Sequence, residues 1–193
     1  GNRHNFGFRA VDAIAERWNF GPERLKFQGL AREGSIDTPK GAVKALIIKP
    51  QTFYNDSGLS AAAALKFYKL EPHNLVVFYD EIDLAPGRFR MKAGGGAAGN
   101  NGVRSLTAHI GPYFRRGRLG TGHPGHKDRV QGFVLSDFSK AEEVWAKPLC
   151  QAIADAAPLL AADEDEKYQA EVMRLAPAEK IDPRKLSRDA DVG

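Results

Sequence analysis

Apolar residues at Phe8, Val11, Ile14, Ala15 and Trp18 recur at helical spacing, which predicts a helix over residues 8–18. Residues 25–33 and 43–49 read as strands. Pro39 and Gly41 break the chain between them, so a hairpin is expected, and Pro50 ends its second strand. Asp56 or Ser57 can cap a helix running through Ala61 to Leu70. The short apolar run Leu75 to Tyr79 reads as a buried strand. Asp80 then falls at its carboxyl end, where sites collect in open α/β sheets. A glycine-rich stretch, Gly94 to Gly102, leads into a helix from Val103 to Ile110. Further strands are expected near Arg116 to Gly120 and Val130 to Leu135. Ser139 with Glu142 has the spacing of a capping box, opening an alanine-rich helical segment that Pro148 should kink or delay. Residues 177–193 combine Pro177, Pro183 and many charges and read as a loosely ordered tail. Strands interleaved with helices, without internal repeats, indicate a single α/β domain over residues 1–176.

The bulk composition adds little to this picture. The 193 residues, 42% hydrophobic and 27% charged, suit one globular domain with a sizeable core. Cys150 is the single cysteine, so no intrachain disulfide can form, and a reducing, cytoplasmic compartment is expected. No apolar run approaches the roughly 20 residues of a membrane span, and no signal-peptide pattern is visible. A monomer is the default expectation.

Charge changes the picture more. The formal net charge is +4, but it is unevenly placed. Between Leu84 and Gly132 stand Arg88, Arg90, Lys92, Arg104, Arg115, Arg116, Arg118, Lys127 and Arg129 against Asp128 alone. That window is therefore strongly positive and the remainder of the chain is net negative. Such asymmetry is the footprint of a polyanion-binding face, although a solvated basic surface has the same composition. Aromatics in the window are few, chiefly Phe89, Tyr113 and Phe114, which favours phosphate contact over base stacking.

Several motif classes drop out. Gly94, Gly96 and Gly99 fit G-x-G-x-x-G, but no acidic residue follows before Asp128 to hold a ribose, and the preceding segment alternates charge instead of running apolar. A nicotinamide site is not expected, and the glycines are read as permitting close backbone approach. No glycine loop ends in G-K-[ST], and neither G-x-S-x-G nor H-E-x-x-H occurs. His123 and His126 flank Pro124 and Gly125, which reads as a turn or a phosphate contact sooner than a metal site.

What remains is scattered: Arg3-His4-Asn5, Asn55 before a helix, Tyr79-Asp80-Glu81-Ile82-Asp83 after a strand, and Asn100-Asn101 at the end of the glycine loop. A histidine held by a carboxylate can activate water, and asparagine amides can hold a carbonyl as charge develops on it. Spacing alone does not pair His4 with Asp80, which stand 76 positions apart. A terminal histidine is ordinarily a surface residue, and an aspartate after a strand is often a turn former.

Taken in order, these pieces resemble the bacterial peptidyl-tRNA hydrolase family. The resemblance is carried by Arg3-His4-Asn5-Phe6-Gly7-Phe8, Lys49-Pro50-Gln51-Thr52-Phe53-Tyr54-Asn55, Tyr79-Asp80-Glu81-Ile82-Asp83-Leu84, Gly94 to Gly102, Gly120-Thr121-Gly122-His123-Pro124-Gly125 and Val130-Gln131-Gly132-Phe133-Val134-Leu135. It runs from Asn2 to about Leu175. It implies one α/β domain with a mixed central sheet flanked by helices, and hydrolysis of the ester between peptide and tRNA without metal or cofactor. On this resemblance His4 is the base that activates water and Asp80 orients it. Asn55 and Asn101 hold the peptide and the ester region, with Tyr54 in the peptide groove. Lys92 and Arg118, with Arg90 and Lys127 as neighbours, contact tRNA phosphates at the acceptor stem and 5′ end.

Three departures accompany it. The family's first strand and its Gly-Asn-Pro-Gly loop have no counterpart, since the chain starts after them, and either truncation or residues absent from the structure are the expected reason. Tyr54 stands where methionine is usual, and Asn100 where histidine is usual. Two other function classes share some of these features. A non-catalytic RNA-binding relative, such as a chloroplast intron-splicing factor, would use the same charge window. A small-molecule ester or amide hydrolase could use the same dyad but would not need the basic window.

Overall fold

Gly7 governs how the amino-terminal segment is laid down in the computed structural model, which describes residues 1–52 and 56–178. A 3₁₀ turn, Arg3–Asn5, runs directly into helix α1, Phe6–Arg17. A Cβ on Gly7 would lie 2.0 Å from the carbonyl oxygen of Phe78, so only glycine lets α1 sit against the backbone of the strand that carries Asp80. The helix begins two residues before the expected start because Phe6 is fully buried, edge-on to Phe138 at 4.8 Å.

The next strands differ from expectation in number. The 25–33 segment is split at Phe27 and Gln28, whose φ values of 54° and 55° form a two-residue hairpin turn. Strands β1, Arg24–Lys26, β2, Gly29–Thr38, and β3, Gly41–Pro50, make an antiparallel meander. The expected hairpin is the β2–β3 pair, closed between Thr38 and Gly41. Helix α2, Ser57–Tyr68, follows and ends at left-handed Lys69.

The second sheet carries the chemistry. Its order is β4, Val76–Glu81, then β6, Arg115–Gly120, then β5, Phe89–Ala93, with β4 parallel and β5 antiparallel to β6. This is the mixed sheet the resemblance implies. Strand β5 was not expected, because its outward Arg90 and Lys92 break the apolar run. Its period-two signature lies in buried Phe89 and half-buried Met91. On one face Val76, Phe78, Phe89, Met91 and Leu119 join the main core with α1, α5, Lys140–Asp155, and α7, Asp165–Leu175. On the other, Val77 and Tyr79 pack with Val103, Leu106 and Phe114 under helix α3, Asn101–Ile110.

The expected strand at Val130 to Leu135 is instead helix α4, Val130–Leu135. A 3₁₀ turn at Lys127–Arg129 launches it, with the Asp128 N–H donating to His126 Nδ1 at 3.2 Å. Arg3 Nη1 then donates to the Phe133 carbonyl at 3.4 Å and the Ser136 carbonyl at 3.1 Å. β-propensity in this valine-containing segment yields to such tertiary contacts.

The capping box forms as expected: the Glu142 N–H donates to Ser139 Oγ at 3.2 Å, and the Ser139 N–H to Glu142 Oε2 at 2.7 Å. Pro148 does not delay α5. It lies inside the helix on the exposed side, as does Val144, whose carbonyl loses its helical partner. A short helix α6, Ala157–Ala161, joins α5 to α7. The tail expected over 177–193 falls outside the described residues from 179 onward. Among the described residues no helix is long and apolar enough to cross a membrane.

Candidate active site

His4 sits in the 3₁₀ turn, whose start is capped by the Asn2 side chain accepting from the Asn5 N–H at 3.1 Å. Asp80 is the penultimate residue of β4, on the face that meets α1. The fold brings the two together: His4 Nδ1 lies 3.1 and 3.2 Å from the two Asp80 carboxylate oxygens. The Asp80 side chain is 3% exposed and that of His4 23%. A buried carboxylate accepting from Nδ1–H fixes the tautomer that leaves the lone pair on Nε2, the form a general base requires.

The opposite face of the sheet is cationic, with Arg118 level with Tyr79 beside Asp80 and Arg116 level with Val77. The register sets Arg90 directly across from Arg118, and Lys92 across from Arg116. Side chains directly opposite in an antiparallel pair share a face, so four cations stand together there, an arrangement that destabilises a sheet unless something offsets it. Glu81 is the offsetting carboxylate, with Oε1 3.8 Å from Arg118 Nη1. Burial pushes the Glu81 carboxyl above its ordinary range, reinforced by Asp83 and opposed by Arg118. Burial likewise raises the Tyr79 hydroxyl, against the pull of Arg116.

Among the described residues, only Arg115 and Arg118 of the nine basic residues in the 84–132 window form an ion pair with a carboxylate. Arg115 turns to the opposite face, where it holds Asp163 and Asp165. Arg116 is fully buried, its guanidinium donating to the carbonyls of Gly96 at 2.7 Å, Gly95 at 2.8 Å and Pro112 at 3.3 Å. These two arginines belong to the interior, which the charge count alone could not show. Arg90 and Lys92 remain exposed on the cationic face, Lys127 is exposed in the turn before α4, and Arg118 is half-buried.

Arg116 also explains the glycine loop. It ties Gly95 and Gly96, ahead of α3, to Pro112 behind it. Gly95, at φ 97°, leaves room for the Lys92 side chain, whose Nζ would stand 2.6 Å from a Cβ there. Asn101 is exposed at the first position of α3. Asn100 caps that helix, its side chain accepting from the Val103 N–H at 3.0 Å. Ser57 Oγ donates to the Gly102 carbonyl at 3.5 Å, so the start of α2 abuts the start of α3. Asn55 and Tyr54 lie outside the described residues. His123 and His126 each accept a backbone N–H two residues on, from Gly125 and Asp128, as turn residues do.

With this geometry in place, comparison with known proteins is decisive. The peptidyl-tRNA hydrolase family pattern matches residues 1–181. The chain belongs to the peptidyl-tRNA hydrolase family. A peptidyl-tRNA hydrolase from Phenylobacterium zucineum is 68% identical over 187 residues, which span 97% of this chain and 90% of that protein. One from Caulobacter vibrioides is 61% identical over 188 residues, spanning 97% and 92%. The crystal structure of peptidyl-tRNA hydrolase from Acinetobacter baumannii superposes with a TM-score of 0.83 at 34% identity, covering 92% of this chain and 89% of that one. The α/β fold with mixed sheets and flanking helices is thus the fold of peptidyl-tRNA hydrolases.

Two residues that the sequence reading did not single out as functional stand beside the dyad. Arg3 is buried next to His4 and is bound by Glu142. The capping-box spacing had pointed to Glu142 for a different reason, but no local signal joins two residues 139 positions apart.

Proposed function

We propose that the protein hydrolyses the ester joining a peptide to its tRNA, recycling tRNA from stalled or abortive translation. The observation that carries this reading is the buried Asp80 carboxylate against His4 Nδ1, on a sheet whose other face bears Arg90, Lys92 and Arg118. His4 Nε2 takes a proton from water as the water attacks the ester carbonyl. Asp80 supports the imidazolium that forms, and the proton then passes to the departing ribose oxygen. Asn101, at the amino end of α3, steadies the carbonyl where the helix dipole favours developing negative charge. Asn55 and Tyr54 are assigned to the peptide by their place in the family's motif. Contacts to peptide backbone would let any peptide sequence be cleaved. The chemistry requires no metal or cofactor. The protein acts in the cytoplasm and as a monomer.

The cationic face grips the acceptor stem and 5′ phosphate through Lys92 and Arg118, with Arg90 and Lys127 beside them. Arg118 makes no side-chain hydrogen bond among the described residues, and its Nε is buried without a partner. The Lys92→Ala variant tests this assignment. It should weaken tRNA binding and reduce the slope of log affinity against log salt by roughly 0.9 per lost phosphate contact, with kcat little changed. Fluorescence titration across a salt series measures it, and an unchanged slope would remove Lys92 from the phosphate contacts.

A further inference from the structure

We infer that Arg3 and Glu142 form a positioning pair for the catalytic histidine, making the amino end of α5 part of the machinery that aims His4. The inference rests on the reading of His4 as the base. Arg3 is 7% exposed and Glu142 8%. Arg3 Nη2 donates to both Glu142 oxygens at 2.6 Å. Its Nη1 donates to the carbonyls of Ser136 at 3.1 Å and Asp137 at 3.0 Å, and its guanidinium lies 4.2 Å from the centre of the Phe133 ring. The Arg3 N–H donates to the Ser136 carbonyl at 3.1 Å, and Asn2 bridges to Asp137.

This arrangement ties the segment just before His4 to the connection between α4 and α5. Burying two charges is expensive, and the gain repays it only when the geometry is tight and the remaining donors are satisfied. Here both terminal nitrogens of Arg3 are committed, to Glu142 and to the exit of α4, while its Nε is buried with no hydrogen-bond partner among the described residues, and Glu142 is itself fixed by its Ser139 cap. The residue so immobilised is the immediate neighbour of His4. On its other side, α1 is pressed against β4 at Gly7. His4 is thus held between two rigid anchors, and its ring is delivered to Asp80 with little freedom. A misplacement of about 1 Å can lower a rate by as much as a hundredfold, so loosening one anchor should be read in kcat.

The test separates positioning from stability. Arg3→Met or Glu142→Gln alone leaves one buried charge unpaired and should lower the melting temperature by about 6 °C or more. The double variant Arg3→Met/Glu142→Gln removes both charges and keeps a side chain able to cap Ser139, so it should recover most of that loss. All forms are assayed on peptidyl-tRNA at 25 °C, with His4→Ala in parallel. The inference expects the double variant to keep KM within about twofold of the parent while kcat falls about ten- to a hundredfold. Arg3→Lys, which keeps the charge but not the fork, should lose kcat in the same sense. A double variant with parent-like kcat, beside an inactive His4→Ala, overturns the positioning role and leaves the base intact. An active His4→Ala overturns the underlying reading of the site itself.

Discussion

Replacing His4 by alanine is expected to lower kcat for peptidyl-tRNA by about 10²–10⁴, the usual contribution of a placed general base, while tRNA affinity stays within about twofold. The expectation follows from which groups do which work. On the proposed mechanism the proton acceptor is one imidazole, that of His4, which stands 3.1 Å from Asp80. On the same proposal the phosphate contacts come from Lys92, Arg118 and their neighbours, which lie on the other face of the sheet. Losing the imidazole removes the base but none of those cations. Alanine leaves space in which water can still bind, without the lone pair that takes its proton. Single-turnover cleavage beside filter binding of the same tRNA measures both quantities. A variant with parent-like turnover would remove His4 from the mechanism. A variant that loses affinity in proportion to rate would place His4 in binding.

The Asp80→Asn exchange should be about as damaging, on the order of 10²–10⁴ in kcat by comparison with orienting carboxylates elsewhere. Asparagine keeps the size and hydrogen-bonding reach of aspartate. Its amide, however, can donate to Nδ1, which stabilises the tautomer bearing hydrogen on Nε2. That tautomer offers water no lone pair at the working nitrogen. The charge that would support the imidazolium is lost as well, in a place where the side chain is only 3% exposed and solvent cannot substitute. Stability should fall little or rise, since a buried charge is removed. Comparing kcat with the urea midpoint distinguishes the two effects. Loss of activity only in proportion to unfolding would reduce Asp80 to a structural residue.

How much of this was legible in the sequence varies with the range of the interaction. Strand β4 announced itself as an apolar run, and the Ser139–Glu142 box as a local spacing. The His4–Asp80 contact was supplied only by the order of the family's motifs, because nothing in either residue's surroundings encodes a partner 76 positions away. The charge window pointed to a polyanion but overcounted it. Arg115 answers Asp163 and Asp165, and Arg116 answers the carbonyls of the glycine loop, partners set by the fold. Strand β5 was missed because its outward Arg90 and Lys92 interrupt its hydrophobicity. Helix α4 was misread because Val130 and Val134 favour strands, while the contacts that settle it come from Arg3, more than a hundred positions away in sequence. Asn100 shows the converse. In a position where the resemblance leads one to expect histidine, it serves the helix start directly, a role for which asparagine is among the favoured residues.

The most direct test of the account is cleavage of a peptidyl-tRNA by the parent protein in ¹⁸O-labelled water, with free aminoacyl-tRNA as the control. Attack of activated water on the ester carbonyl predicts rapid release of peptide, with one labelled oxygen in its new carboxylate and none in the tRNA. The aminoacyl-tRNA should be left largely intact. Tight, salt-sensitive tRNA binding without any release would contradict the account and leave an RNA-binding protein that has the fold but not the reaction.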